Sequence, residues 1–310
     1  MHQASGPSGS QGRPATRIDA ASIGSPGPER AEAARRYAED GYLVLADLLG
    51  PDELDALRSE SVRACRGELG EIAGNFAPPP GETDAEALRR VLCVHFPHKL
   101  SPVFADALRH PRALGVLTAT IGPNVKAMQS MLFVKAEGKP GQAWHQDEYF
   151  IPTRDRSLAG LWIALDDATV ANGCLWVLPG SHRAGVIYPD RDHDDRRFDC
   201  AIEAYDFPYA DDDALPVELP AGSAVIFNGY LLHRSLPNTT PGSTRRALVN
   251  HYMSAESLLP WQPPPEGVHM AKADYRDVVV VAGRDPYAWK GTEDLARPHV
   301  RPDGEGGCDR

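Results

Sequence analysis

Five short apolar runs in the middle of the chain limit the fold more than any other feature. They are Val125–Ala136, Leu158–Asp166, Cys174–Leu178, Ala224–Phe227 and Arg245–Met253, rich in Val, Ile, Leu and aromatics and punctuated by Gly, Pro and Asn. Such runs, separated by turn formers, read as strands of an antiparallel sandwich or barrel. Helical patterns dominate the first third instead. Arg30–Asp40 is stopped at Gly41, and Pro51–Arg66 has proline in its first turn and Leu54, Leu57 and Val62 towards one side. Ser101–Ile121 reads as one further helix, ended by Gly122-Pro123. Tyr42–Ala46 and Val278–Val281 are additional short strands. The expected class is mainly β with flanking helices.

Both ends are rich in turn and polar residues. Residues 1–28 read as a flexible tail, 29–300 as one domain and 301–310 as a second tail, with no chemistry expected in either tail. The stretch Asp190–Asp213 carries ten acidic residues against three arginines and reads as a long loop over one mouth of the barrel. Phe198, Tyr205, Phe207 and Tyr209 interleave with those charges. Two readings stand: a mobile cover whose aromatics close over a substrate, or an acidic insertion with a few aromatics docked on the wall.

A net charge of −11 argues against nucleic acid or an anionic membrane as partner, since both need a basic patch. A small-molecule substrate fits better, and oligomeric state is left open. The five cysteines, at 65, 93, 174, 200 and 308, are odd in number and form no CxxC pair. That pattern disfavours a disulfide framework or structural zinc site. No run of about 18 apolar residues predicts a membrane helix, and MHQASGPSGSQGRP lacks the apolar core of a signal peptide. The expected setting is cytoplasmic.

The sharpest chemical signal is Trp144-His145-Gln146-Asp147. On a strand, residues two apart share a face, so His145 and Asp147 would project together. One imidazole and one carboxylate are two thirds of a facial triad, which binds iron(II) and leaves other positions open. His233 is the best third ligand, 88 residues on and at the end of AGSAVIFNGYLLH. Ser235 should share its face, and Arg245 or Arg246 could lie across from it. A hydroxyl and a guanidinium suit the distal carboxylate of a dicarboxylate that chelates the metal at its other end, as 2-oxoglutarate does. His182 and His251 compete for the third place, the second as a plain barrel residue, while His95 and His98 could line a pocket.

Together these residues resemble the phytanoyl-CoA dioxygenase family, which includes ectoine hydroxylases and bacterial tailoring enzymes. The matching pieces run in order: RRYAEDGYLVLADLLGPDELDALR, MLFVKAEGKPGQAWHQD, WIALDDATVANGCLWVLPGSH and AGSAVIFNGYLLHRSLPNTTPGSTRRALVNHY. The resemblance spans about residues 30 to 300. It implies a double-stranded β-helix of the jelly-roll or cupin-like kind, with His145, Asp147 and His233 as iron(II) ligands. It also implies Arg245, in preference to Arg246, on the 2-oxoglutarate C5 carboxylate, helped by Ser235. By similarity Lys135 touches 2-oxoglutarate and Gln129 touches substrate. Trp162 and Trp176 match family positions and read as packing, and Asn172-Gly173 reads as a turn.

The implied reaction is hydroxylation of an unactivated C–H bond of a small molecule, with dioxygen consumed and 2-oxoglutarate decarboxylated to succinate. Asp147 disfavours halogenation, because related halogenases carry a small residue there. Apart from Arg191, Arg196 and Arg197 no basic cluster suits a CoA phosphate, which disfavours phytanoyl-CoA itself. Two rivals remain at this stage. One is a cupin-like protein that holds metal and dicarboxylate without turnover. The other is a zinc hydrolase, which would leave the Ser235/Arg245 pair unexplained.

Overall fold

Proline and glycine set the helix boundaries. In the computed structural model, which describes residues 17–24, 26–74, 78–199, 202–257, 279–292 and 296–302, α1 (Pro28–Asp40) starts on proline and ends at Gly41. Gly41 has φ 83°, and its N–H returns to the Tyr37 carbonyl. α2 (Pro51–Arg66) follows the same plan and ends at Gly67. A Thr83/Glu86 capping box opens α3 (Asp84–Arg89). The single helix expected over Ser101–Ile121 is two, α4 (Pro102–Leu108) and α5 (Pro111–Thr120). Pro111 has no N–H and excludes the helical region for the residue before it, and His110 sits at ψ 124°. α6 (Asp147–Phe150) is one turn.

In chain order the strands are β1 (Arg17–Asp19), β2 (Tyr42–Ala46), β3 (Val91–His95), β4 (Val125–Ala136), β5 (Gln142–His145), β6 (Ala159–Ala164), β7 (Leu175–Val177) and β8 (Asp190–Asp192). They continue as β9 (Ile202–Ala204), β10 (Leu215–Val217), β11 (Ala224–Asn228), β12 (His233–Ser235), β13 (Thr244–Ser254), β14 (Val279–Ala282) and β15 (His299–Pro302). The large sheet runs β1-β2-β11-β6-β13-β4-β3-β15, with β14 also on β4, and the small sheet runs β10-β7-β12-β5. The architecture is the mainly β, jelly-roll type expected.

Alternation along the central strands explains the layering. Ile226 of β11, Ile163 of β6 and Leu248 of β13 face the helices and pack with Phe104, Val116 and Leu117. Their neighbours Val225, Trp162 and Val249 face the other way and pack with Leu175, Val177 and Val217 of the small sheet. Burying both faces fixes the register, since a slip of one residue would exchange them. Among the described residues, no helix is long and apolar enough to cross a membrane.

The ends depart from the expected tails. Arg17–Asp19 pairs parallel with β2, and the turn after it fully buries Ala20 and Ile23. Arg301 belongs to β15, paired antiparallel with β3. Unpaired strand edges beside β2 and β3 supply the partner that a Gly/Ser/Pro-rich composition conceals. Residues 1–16, 25 and 303–310 of those expected tails lie outside the described residues.

Candidate active site

His145 ends β5 and His233 begins β12, and the two are register partners across the small sheet. Their ring centroids are 4.1 Å apart. Each imidazole is oriented by its own backbone: His145 Nδ1 lies 2.7 Å from the Ala143 carbonyl and His233 Nδ1 2.9 Å from that of Leu231. A carbonyl can only accept, so Nδ1 carries the proton and Nε2 presents a lone pair. Asp147 is not on the strand, as its spacing suggested, but opens α6. The chain turns after His145, and the carboxylate swings back: Asp147 Oδ1 is 3.7 Å from His145 Nε2 and 3.5 Å from His233 Nε2. The three ligand atoms lie within 4.8 Å of one another. This is a donor set of two imidazoles and one carboxylate, suited to an octahedral iron(II) with open positions.

His251, expected to be only a barrel residue, lies against the same carboxylate. Its Nε2 is 3.0 Å from Asp147 Oδ2. Burial alone would raise the Asp147 carboxyl, but the charge that His233 carries when protonated and the bond from His251 hold it well below the usual range. Burial, reinforced by His233, pushes His145 down to about 4. Burial also pulls His233 down, but Asp147 outweighs it and the imidazole ends above 6.5. The signal for His251 was legible: it is six residues from Arg245 on one strand, hence on the same face.

Arg245 and Arg246 point to opposite faces of β13. Arg246 is held two-pronged by Asp166 at 2.8 Å and 2.8 Å on the helix side of the sheet. Arg245 faces the cavity, 3% exposed, stacked over Trp162 at 5.2 Å. One of its nitrogens donates to the Gly173 carbonyl at 3.1 Å, while Nε and the other terminal nitrogen have no partner. Burial without a paired carboxylate lowers this guanidinium to about 10. Lys135, its register partner on β4, donates to Ser235 Oγ at 2.9 Å and to the Leu236 carbonyl at 2.7 Å. Gly173 belongs to the turn expected at Asn172-Gly173 but does more than turn the chain. It has φ 85°, and a Cβ there would meet the Leu236 carbonyl oxygen at 2.4 Å.

One cavity of about 530 Å³ joins these groups, lined by the two histidines, Asp147, His251, Lys135 and Arg245 among others. Gln129, opposite His251 in register, lines it with an unpartnered Oε1. His95 lines it too, whereas His98 is turned onto Ser130 and His182 bonds to the Ala38 carbonyl.

The acidic segment contributes differently from the cover reading. Phe207 and Tyr209 pack with Trp144, Trp176 and Leu178 on the outer wall, and none of the four aromatics lines the cavity. Tyr205 lies under Arg191 and Phe198 beside His193. What reaches inside is Asp199, paired with Arg301 at 3.2 Å. Sequence reading missed both: one sits in a charged loop and the other in an expected tail.

The chain is similar to known proteins over most of its length. A sequence model described as phytanoyl-CoA dioxygenase matches residues 37–247. A rice protein, phytanoyl-CoA dioxygenase 1, is 36% identical over 255 residues, covering 73% of this chain and 89% of its own. Among solved structures, the non-heme monooxygenase ThoJ superposes with TM-score 0.62 at 21% identity, over 86% of this chain and 88% of its own. EvdO2 from Micromonospora carbonacea, solved with 2-oxoglutarate, gives 0.55 at 24% identity, over 78% and 96%.

Proposed function

The chain belongs to the phytanoyl-CoA dioxygenase family of iron(II)- and 2-oxoglutarate-dependent oxygenases, and on that premise we propose that it hydroxylates a C–H bond of a small molecule at the His145/Asp147/His233 centre. The observation that carries the reading is Arg245. A buried guanidinium with two unpartnered nitrogens, in the same cavity as a two-histidine, one-carboxylate cluster, calls for an anionic partner. A dicarboxylate bound to the metal at one end supplies it.

His145 and His233 Nε2 and Asp147 Oδ1 would hold the iron. Arg245 would hold the 2-oxoglutarate C5 carboxylate in a two-pronged bond, and Ser235 Oγ would add a third contact. Lys135, next to both, would set the orientation of Ser235. Once bound, iron with 2-oxoglutarate would supply dioxygen activation, with succinate, carbon dioxide and the hydroxylated substrate as products. The residues do the rest. Trp162, Phe227 and Val249 line the cavity and would help to keep water from it, and Gln129 would touch the substrate. Three buried, unpaired cysteines, Cys65, Cys93 and Cys174, support a reducing, cytoplasmic setting.

Anaerobic addition of iron(II) and then 2-oxoglutarate tests this. The visible band of the chelate should form in the native protein and be lost in His233→Ala. Oxygen should then give succinate. A protein that forms the chelate but never yields succinate with any substrate is a binding protein, and one that hydrolyses with zinc is a hydrolase.

A further inference from the structure

The side of the cavity away from the two histidines is closed by an ion pair that joins the outermost strands of both sheets. β15 is the last strand of the large sheet, and its Arg301 and His299 stand opposite Cys93 and His95 of β3. Those residues stand opposite Phe133 and Met131 of β4, which stand opposite Ala247 and Val249 of β13. Residues directly opposite share a face. Arg301 and His299 therefore lie on the same inner face as the rest of the cavity floor, three strands or roughly 14 Å from β13. On the small sheet, Gly141 precedes the edge strand β5. It bonds to the acidic segment on both sides, accepting from Asp199 N at 2.8 Å and donating to the Arg197 carbonyl at 2.7 Å. Asp199 thus extends the edge of the small sheet and meets Arg301 across the gap.

The pair leaves hydrogen-bonding capacity unused. Asp199 Oδ2 takes one bond from Arg301, but Asp199 Oδ1 and Arg301 Nε have no partner, although both atoms are out of solvent. The side chains are 8% and 12% exposed. His95 Nε2 and Gln129 Oε1, on the same cavity, are equally unpartnered. The His95 ring stacks flat on His299 at 4.2 Å, so it cannot turn away to find a bond. Four orphaned polar atoms line this cavity, Gln129 Oε1 beside His251 and the other three farther from the metal ligands, and they mark a place where a ligand completes the bonding. The pair is neutral as a whole, and burial keeps His95 in its uncharged form.

We infer that Asp199, Arg301, His95 and Gln129 form the substrate's head-group site. The class of molecule it takes has an apolar body, which lies along Met131, Phe133 and Phe150, and a polar head without net charge. That head donates to Asp199 Oδ1 and Gln129 Oε1 and accepts from Arg301 Nε. A zwitterionic amino acid and a neutral amide share this chemistry. A bare carboxylate would face Asp199, and a nucleotide thioester would set several phosphates beside that carboxylate, with Lys139 and Arg297 as the further cations lining the cavity. The inference rests on the oxygenase reading above, because it places the reacting carbon between this wall and the His145/Asp147/His233 centre.

Four probes that share a six-carbon chain test it: L-norleucine, hexanamide, hexanoate and hexanoyl-CoA. Each is titrated anaerobically into the 310-residue protein loaded with iron(II) and 2-oxoglutarate, with Kd read from the change in the chelate band. Norleucine or hexanamide should bind at least about tenfold more tightly than hexanoate and hexanoyl-CoA, and which of the two wins separates the zwitterion from the amide. Asp199→Asn and Arg301→Lys should each weaken that binding about tenfold or more and leave the 2-oxoglutarate band unchanged. Lysine keeps the charge pair with Asp199 but has no Nε, so Arg301→Lys should melt close to the native Tm. Tightest binding of hexanoate or hexanoyl-CoA, no binding of any probe, or affinity indifferent to both variants would each overturn the inference. If the band fails to form in the native protein, the metal-site reading falls, and this inference with it.

Discussion

His251 Nε2 stands 3.0 Å from Asp147 Oδ2, while Asp147 Oδ1 faces both metal-side imidazoles. The carboxylate is thus divided, one oxygen held by the large sheet and the other free to ligate. His251→Leu should weaken iron(II) or manganese(II) binding roughly 10–100-fold, the cost of losing a group that orients a ligand. His251→Gln, which can still donate, should recover part of it. Calorimetric metal titration reads both, and equal affinities in all three proteins would remove His251 from the site.

Arg245 and Arg246 should separate function from stability. Arg245→Ala leaves the co-substrate carboxylate unmatched, which commonly costs about 2–5 kcal/mol. The KM for 2-oxoglutarate should then rise roughly thirtyfold or more. Arg246→Ala breaks the two-pronged bond to Asp166 on the helix side and should cost about 1–3 kcal/mol of stability, with KM for 2-oxoglutarate unchanged. A reversed pattern would mean the register of β13 is off by one.

Gly173→Ala introduces a Cβ where the Leu236 carbonyl oxygen would be 2.4 Å away and Lys135 Cδ 2.9 Å away, at φ 85°. The turn must shift, and with it the carbonyl that Arg245 donates to. Expected are a loss of about 1–3 kcal/mol in stability and a raised KM for 2-oxoglutarate, measured by thermal melting and steady-state kinetics. A variant that loses stability alone would show that Gly173 does not position Arg245.

Metal binding should release a proton in a window set by His233. Its folded-state imidazole is raised above 6.5 by Asp147, and a ligand must be deprotonated, so affinity should climb as pH rises through that value and then level off. His145, held near 4, contributes no proton at neutral pH. The linkage to folding runs the other way in the metal-free protein. A raised imidazole stabilises below its unfolded value and loses that contribution as pH rises through the folded one. The lowered imidazoles of His145, His95 and His182 act in the opposite sense, so the His233 share is read as native minus His233→Gln: between about pH 6 and 8 that difference in metal-free Tm should fall while the metal-loaded Tm rises. Parallel slopes would contradict the assignment.

The sequence by itself determined whatever depends on a short stretch of chain. Alternation of period two decided which side chains of β4, β11 and β13 share a face, and so that only one of Arg245 and Arg246 could enter the cavity. The helix stops at Gly41 and Gly67 were equally local, and the break at His110-Pro111 was as well, had the proline been weighed. The nearness of His145 to Asp147 needed no fold either, although the chain achieves it by turning into α6 rather than by staying extended. Only tertiary structure decided what pairs with what across long separations. His145 meets His233 because β5 and β12 are neighbours in the small sheet. Arg301 faces the cavity because β15 adds to an open edge beside β3, and Asp199 reaches it because its loop docks on Gly141. Strand pairing and the burial of unpaired edges are collective properties, set by backbone hydrogen bonding and by the area enclosed between two sheets. A Pro- and Gly-rich ending or an acidic loop carries no local pattern that records them.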